Sequence, residues 1–253
     1  MDIGGFPANH DGFRRQPAPL ERCDGARGDR NANRQKPAVA GGTRPGAAGN
    51  ALMGSAIARY VDTAAGLDHV VENVARASSV AVDTEFVRER TYYPRLCLIQ
   101  LAVDDMIWCV DPIALDDLGT LYEALSAPEC SKIFHAARQD LEIFYHAHGE
   151  VPAPLFDTQI AAALLGRPEQ IAYAGLVAEL CGVDLDKSSS RTDWSRRPLS
   201  TRQLDYAADD VRYLGSMRQQ LEQELVASGR IAWFEEECQR LTEPTLYSAE
   251  PAD

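Results

Sequence analysis

Two carboxylates, Asp83 and Glu85, interrupt an otherwise apolar segment with the sequence VAVDTEF. Because side chains at positions i and i+2 of a strand share a face, the two acids are predicted to project together. Like charges this close repel each other, and burying either one unpaired is costly. A divalent cation that prefers oxygen ligands, Mg²⁺ or Mn²⁺, would relieve the repulsion. The pair alone is also compatible with a strand end whose carboxylates are hydrated.

Further acids occur in two later segments. In HAARQDLEIF, Asp140 falls in the first turns of a helix that follows a strand. Such strand-to-helix junctions line the ligand-binding crevice of α/β sheets. In QLDYAADDVRYL, Tyr206 and Asp210 are spaced i, i+4 and share a helix face, whereas Asp209 is rotated about 100° away. A Tyr–Asp helix pair by itself is more typical of an ordinary hydrogen bond than of catalysis.

The elements able to position these residues alternate along the chain. A helix is predicted over TAAGLDHVVENVARAS, followed by strands at SVAVDTEF, LCLIQLAV and MIWCVD. The Asp104-Asp105 break between the last two strands indicates a hairpin. Next come a helix through LGTLYEALSA, a strand at KIFH, a helix through AARQDLEIFYHAHG, a short strand at PLFDT and a helix at QIAAALLG. Three antiparallel strands followed by βα units predict an α/β domain, a mixed β-sheet flanked by helices.

The C-terminal part is predicted to be helical. A helix at YAGLVAELCG is followed by a polar loop, DLDKSSSRTDWSRRPL. One long helix is then expected from Ser200 to Gly229, opened by a capping box with Gln203. The predicted domain organisation is a disordered N-terminal tail over residues 1–55, a folded domain over 56–240, and a linker or tail over 241–253.

Composition limits the class of protein. The chain has 253 residues, 45% of them hydrophobic and 25% charged, which permits a large globular core. It contains no apolar run of membrane-spanning length and no signal-peptide core near its N-terminus, so we expect a cytoplasmic protein that does not contact a membrane. A monomer is favoured. The six cysteines form no C-x-x-C pair and are predicted to be reduced and mostly buried.

The net charge of −13 argues against a nucleic-acid partner that is attracted by bulk charge. Any such partner would have to be bound through local arginine clusters and bound cations.

Taken together, these segments resemble the DEDD superfamily of 3′–5′ exonucleases, in the subclass with tyrosine in its third motif, and within it the ribonuclease D family. The first motif is similar to VAVDTEFVRERTYYPRLCLIQLA, the second to HAARQDLEIF and the third to LDYAADDVRYL. The intervening PLFDTQIAAALLG and LDKSSSRTDWSRRPLS are also similar to that family. The resemblance runs from Ala56 to the C-terminus and implies a ribonuclease H-like mixed β-sheet flanked by helices, with residues 56–240 as the exonuclease domain.

The resemblance also implies roles for individual residues. The carboxylates that bind two divalent metal ions, Mg²⁺ or Mn²⁺, would be Asp83, Glu85, Asp140 and Asp210. Tyr206 would orient the attacking water. Asp157 is an alternative ligand on chemical grounds, but it lies outside the family's catalytic four and is expected to cap a helix. The implied reaction is hydrolysis of RNA from its 3′ end to nucleoside 5′-monophosphates, with tRNA precursors among the expected substrates.

Substrate contacts are expected beside the first motif and in the polar loop. Arginine and aromatic side chains occur together in VRERTYYPRL, and this combination suits single-stranded RNA. The candidates are Phe86, Arg88, Arg90, Tyr92, Lys187 and Arg191. A core position for Phe86 and a solvated loop around Lys187, Arg191, Arg196 and Arg197 are the competing interpretations.

Three other functions stay open at this point. A DNA-directed 3′–5′ exonuclease of the same superfamily would use the same acids. A phosphatase would need a D-x-D motif, whereas Glu85 occupies the second acidic position. A non-catalytic RNA-binding module would not need all four acids and Tyr206. Family members usually continue into helical HRDC domains, and we expect a nuclease domain without them here, either as a truncation or as a short natural form.

Overall fold

A six-stranded mixed sheet forms the centre of the protein. The computed structural model describes residues 58–88, 93–185 and 192–248. The strands are β1 (Arg59–Val61), β2 (Ser79–Val87), β3 (Arg95–Val103), β4 (Met106–Val110), β5 (Ser131–Phe134) and β6 (Leu155–Asp157). Their order across the sheet is β1-β4-β3-β2-β5-β6. The predicted N-terminal tail, residues 1–55, lies outside the described residues.

Helices flank this sheet. They are α1 (Ala64–Arg76), α2 (Gly119–Ser126), α3 (Arg138–His148), α4 (Thr158–Leu164), α5 (Tyr173–Cys181), α6 (Thr201–Arg212), α7 (Leu214–Ala227) and α8 (Ile231–Leu241), followed by a 3₁₀ turn at Pro244–Leu246. No helix in the described ranges is long and apolar enough to cross a membrane.

The strand directions confirm the predicted fold class. Strands β2, β3 and β4 form an antiparallel meander, and β5 and β6 follow in parallel to β2. The hairpin between β3 and β4 pairs Val103 with Met106, and Asp104 at its turn has a φ of 50°. This left-handed conformation is tolerated by aspartate better than by most residues with a side chain. The mixed α/β sheet is therefore present as expected, with β3 running opposite to the other strands.

Strand β1 was not predicted. It has only three residues, RYV, and pairs in parallel with β4 at the edge of the sheet. A strand this short contains too few residues for an alternating pattern to be recognised. Its place in the fold is decided by pairing with β4 rather than by its own sequence.

The single long helix expected from Ser200 to Gly229 is wrong: α6 ends at Arg212 and α7 begins at Leu214. The cause is Tyr173 of α5. Its hydroxyl donates to the carbonyl oxygen of Asp209 at 2.7 Å and accepts from the backbone N–H of Tyr213 at 3.4 Å. In an uninterrupted helix that N–H would bond directly to the Asp209 carbonyl. The inserted hydroxyl therefore breaks the helix.

Ordered packing continues further than the predicted domain end at residue 240. Tyr247 lies in the segment expected to be a linker, yet it is buried in the core and its hydroxyl donates to the carbonyl oxygen of Leu241. A tyrosine buries a large apolar surface while its hydroxyl finds a partner, which is enough to hold this short segment against the domain.

The two faces of the sheet are covered by different helices. On one face, Trp108 of β4 packs near His69 of α1. On the other, Ala207 of α6 packs with Leu98 of β3 and Cys109 of β4. The five cysteines in the described ranges have free thiols and four of them are buried, as predicted.

Lys132 of β5 is fully buried, and no carboxylate in the described part of the chain pairs with it. Its ammonium group donates to the backbone carbonyl oxygens of Ala127 at 2.7 Å, of Cys130 at 2.6 Å, and of Ala153. Burial lowers the pKa of Lys132 to about 8. The three hydrogen bonds use all three ammonium donors and join the segments that precede β5 and β6.

We expect Lys132→Met to lower the free energy of unfolding by about 3 kcal/mol, because three carbonyl groups lose their donor. Urea denaturation measures this change. The matched control is Arg76→Met, which removes a basic side chain that is 77% exposed at the end of α1 and should leave stability nearly unchanged. Higher stability for Lys132→Met would show that the cost of burying the charge exceeds the value of its hydrogen bonds.

Candidate active site

Strand β2 presents Asp83 and Glu85 on the face that α6 covers. In the antiparallel register with β3, Asp83 lies opposite Gln100 and Glu85 lies opposite Leu98. The pairing register shifts between Glu85 and Phe86. Such an irregularity re-aims side chains and ends regular pairing, here immediately after the two acids.

Helix α6 contributes the third carboxylate of a tight group. Its N-terminus is held by the predicted capping box, in which the Gln203 N–H donates to Ser200 Oγ at 3.3 Å and the Ser200 N–H donates to Gln203 Oε1 at 2.9 Å. Carboxylate oxygens of Asp83, Glu85 and Asp210 all lie within 4.8 Å of one another. Two elements far apart in the chain therefore bring three acids together.

Asp140, in the first turn of α3, lies next to this group and is nearly fully buried. Its Oδ1 accepts a hydrogen bond from the hydroxyl of Thr84, which stands between Asp83 and Glu85 in β2 but on the opposite face. Its negative charge contributes to the raised pKa values of both Asp83 and Glu85, after the larger effect of burial. The structure thus places all four sequence-predicted acids in one region, with Asp140 outside the tight group of three.

The junction between β5 and α3 is held by Asp157, the last residue of β6. Its carboxylate accepts from the N–H groups of Ala136 at 3.1 Å and Ala137 at 2.8 Å, and also from Gln159 and Ile160 at the start of α4. Ala136 has a φ of 58°, a strained conformation for alanine. The expected helix-capping role of Asp157 is confirmed, and the same carboxylate fixes the turn that leads to Asp140.

The pKa values of all four acids are raised. Burial is the main cause, and it raises the pKa of Glu85 to about 8 and the pKa values of Asp140 and Asp210 to about 7. For Asp83, burial and then the charges of Asp140, Asp210 and Glu85 raise the pKa well above its ordinary value. These shifts express the free-energy cost of holding several negative charges together away from water.

A divalent cation fits this set of donors. Carboxylate oxygens are the ligands that Mg²⁺ and Mn²⁺ prefer, and a bound cation would offset the mutual repulsion that raises the pKa values. The side-chain amide of Gln100 lies opposite Asp83, is fully buried, and has no partner for either polar atom among the described residues. The site therefore combines excess negative charge with unused hydrogen-bonding capacity.

Tyr206 lies one turn before Asp210 on α6 and is half-buried. Burial, followed by the charge of Asp210, raises the pKa of Tyr206 well above its ordinary range. The hydroxyl therefore stays protonated at neutral pH. Asp209, the lesser candidate on this helix, accepts from the Arg212 guanidinium at 2.8 Å.

The expected substrate-binding residues are only partly described. Arg88 is exposed and pairs with Glu142 of α3 at 3.2 Å, while Phe86 is half-buried just after the register shift. Four further candidates lie outside the described residues: Arg90, Tyr92, Lys187 and Arg191. In the same loop as the last two, Arg196 pairs with Asp193 at the surface.

Three residues near the acids were missed from the sequence. Thr84 holds Asp140, Gln100 lies opposite Asp83, and Tyr173 breaks the helix that carries Asp210. Gln100 had a recognisable signal, since it is the one polar residue in the strand LCLIQLAV. The roles of Thr84 and Tyr173 depend on partners distant in the chain, and no local pattern marks them.

A mixed sheet with acids from β2, α3 and α6 collected on it defines an α/β domain of the ribonuclease H-like class. Residues 58–226 match the sequence model of a 3′–5′ exonuclease family, and the chain belongs to that family.

Proteins named ribonuclease D are similar to most of the described chain. Those of Gluconacetobacter diazotrophicus and Zymomonas mobilis are 46% and 45% identical over 192 and 193 residues, which is 76% of this chain and 49% and 50% of theirs. The chain thus spans about half the length of these relatives.

Solved structures show the same relationship. The crystal structure of Escherichia coli RNase D superposes with a TM-score of 0.73 at 42% identity, over 77% of this chain and 51% of that one. Brucella melitensis NrnC bound to pGG superposes with a TM-score of 0.61 at 33% identity, over 68% of this chain and 83% of that one.

We expect the stability of the metal-free protein to fall as the pH rises from about 4.5 to about 8. In the unfolded chain the carboxyl groups lose their protons near pH 4, whereas the folded site keeps protons up to about pH 8. The folded state binds more protons in this window, so raising the pH favours unfolding, by roughly 2 kcal/mol overall. Urea denaturation in EDTA at the two ends of the window measures the effect.

Two variants sharpen this experiment. Asp83→Asn removes one charge from the partly buried group and should flatten the pH dependence, while Asp68→Asn, at an exposed position of α1, should leave it unchanged. Added Mn²⁺ should restore stability at pH 8 in the wild-type protein. Stability that rises with pH across the window in EDTA would contradict the electrostatic description of the site.

Proposed function

We propose that this protein is a metal-dependent 3′–5′ exoribonuclease that hydrolyses RNA from its 3′ end and releases nucleoside 5′-monophosphates. The observation that carries the proposal is the convergence of Asp83, Glu85 and Asp210 within 4.8 Å, with Asp140 beside them. Supporting it, the similar protein from E. coli is an exoribonuclease involved in structured RNA processing. Solved structures show B. melitensis NrnC bound to pGG and with bound Mg²⁺.

The acids provide the place for the ions. We infer that two divalent cations, Mg²⁺ or Mn²⁺, are held by Asp83, Glu85, Asp140 and Asp210. When bound, such ions make water a stronger nucleophile and stabilise negative charge on the departing 3′ oxygen. The chain contributes rigidity to this arrangement. Thr84 holds the Asp140 carboxylate, and Asp157 holds the turn from which α3 begins.

Tyr206 orients the attacking water in this proposal. Because burial and the neighbouring carboxylates raise its pKa, the hydroxyl is neutral and can both donate and accept a hydrogen bond. A hydroxyl in this state positions a water molecule but does not remove its proton. The expected contribution of Tyr206 is therefore geometric.

The substrate is a single-stranded 3′ end, with tRNA precursors as the physiological class. Arg88 and Phe86, together with Arg90, Tyr92, Lys187 and Arg191, are proposed to contact phosphates and bases of this strand. We propose that the protein acts as a monomer in the cytoplasm, where free thiols such as those of the five described cysteines are the rule.

Incubation with 5′-labelled single-stranded RNA tests the proposal. We expect stepwise shortening from the 3′ end that requires Mg²⁺ or Mn²⁺ and stops in EDTA. Asp83→Asn should lower kcat roughly a thousandfold, because an ion ligand is lost. Tyr206→Phe should lower kcat about tenfold to a hundredfold, because only the orientation of water is impaired.

Controls separate these effects from general damage. Asp205→Asn changes an exposed acid next to Tyr206 on α6 and should retain full activity. Digestion of DNA of matched sequence in parallel tests the DNA-directed alternative. If the DNA is shortened faster than the RNA, the substrate class is DNA and not RNA. Activity that persists in EDTA would refute the metal-dependent mechanism.

A further inference from the structure

The segment of residues 192–199, which leads into α6, contains an arginine whose donors are all occupied. Arg197 Nε and Nη2 donate to the two carboxylate oxygens of Asp111 at 2.5 and 2.7 Å. The remaining N–H groups donate to the carbonyl oxygens of Cys97, Trp194 and Arg196 at 2.6, 2.8 and 2.8 Å. A guanidinium has five N–H donors, so no donor is left for a phosphate.

Asp111, which follows β4, anchors this arginine to the sheet. It is fully buried and also accepts from the Tyr60 hydroxyl of β1 and from the N–H of Ile113. Burial opposes its ionisation, but hydrogen bonds from Arg197 and Tyr60 hold the pKa of Asp111 below its ordinary value. The pair is charged at neutral pH, and a buried bidentate pair of this kind has one geometry.

The anchored segment places Trp194 against Tyr206. Trp194 is 3% exposed and packs with Leu98 of β3 and Ala207 of α6. The ring centroids of Trp194 and Tyr206 are 6.1 Å apart and their planes are inclined by 37°. This separation lies within the range of favourable aromatic pairs. The Trp194 carbonyl oxygen is itself one of the acceptors of Arg197.

We propose that Trp194, held by the Arg197–Asp111 ion pair, is a positioning residue that fixes the ring of Tyr206 so that its hydroxyl points toward the carboxylates. The inference rests on the proposed function, since Tyr206 orients water only if the hydrolysis takes place. A tyrosine ring that is half-exposed on a helix can change its χ1 rotamer, and such a change carries the hydroxyl away from the site. The tryptophan ring packs against the tyrosine ring, and we expect this contact to oppose the movement.

A double-mutant cycle tests the coupling between the two rings. Trp194→Leu should lower kcat on single-stranded RNA about tenfold with little change in KM. In the Tyr206→Phe background, the same substitution should lower kcat by no more than about twofold, because the hydroxyl to be positioned is absent. Losses that multiply in the double variant, or an unchanged kcat in Trp194→Leu, would refute the proposal.

Arg197→Lys distinguishes a tether from a phosphate contact. Lysine keeps the charge but cannot donate to both Asp111 oxygens and three carbonyls at once. If Arg197 acts as a tether, Arg197→Lys should lower kcat in the wild-type background. As with Trp194→Leu, this effect on kcat should disappear in the Tyr206→Phe background. A rise in KM that depends on salt, with kcat unchanged, would instead assign Arg197 to substrate binding and overturn the inference.

Trp108→Leu is the matched control, because it removes a buried tryptophan from the opposite face of the sheet. It should lower the Tm much as Trp194→Leu does while leaving kcat within about twofold of wild type. Mn²⁺ affinity, measured by titration without RNA, should be unchanged in Trp194→Leu. A weakened affinity would mean that Trp194 supports the ion site instead and would refute the role assigned to it.

If Trp194→Leu does not fold, Trp194→Phe can replace it in the double-mutant cycle with Tyr206→Phe, because this substitution removes less side-chain volume. Wild-type protein that degrades no RNA would refute the proposed function, and with it the catalytic part of this inference. Multiplying losses in an active enzyme would refute the inference alone.

Discussion

The mutual repulsion of carboxylates that are partly or fully buried is the constraint on which the rest of this structure depends. Asp83, Glu85 and Asp210 are held within 4.8 Å of one another and Asp140 adds its charge, so the folded chain keeps acids where water cannot solvate them well. Such an arrangement lowers stability unless a cation compensates for it. The packing and hydrogen bonds of the surrounding domain have to supply the free energy and the rigidity that keep the acids from separating.

Three separate devices provide that rigidity. Asp157 secures the strained turn at Ala136 and so determines where α3 begins. The Tyr173 hydroxyl ends α6 just after Asp210, and the capping box at Ser200 begins it. Asp157 of β6 and Tyr173 of α5 join the site to elements that carry none of the four acids, whereas the capping box lies within α6 itself. The acids are therefore positioned by packing across the whole domain and not by β2 alone.

The net charge of −13 is unfavourable for the proposed nuclease, because nucleic acid is also negatively charged. The position of the acids explains how an acidic chain can still bind a nucleic acid. The acids that matter are concentrated where cations would bind, and bound cations turn such a pocket into a receptor for phosphate. Arg197 shows the converse. It belongs to the polar loop in which Lys187 and Arg191 are the expected substrate contacts, yet its guanidinium is committed to Asp111 and three carbonyl groups. A basic residue in a polar loop can be assigned to substrate binding only after the hydrogen-bond acceptors of its N–H groups have been identified.

Local patterns were sufficient for the periodic elements and for the composition of the site. The alternation in β2 put Asp83 and Glu85 on one face, and the i, i+4 spacing in α6 put Tyr206 beside Asp210, because both periods are properties of the backbone. Tertiary structure alone decided the break between α6 and α7, the pairing of β1 with β4, and the contacts of Trp194 and Arg197. Each of these depends on a partner from a distant part of the chain, and the energy of such a contact exists only after the chain has folded.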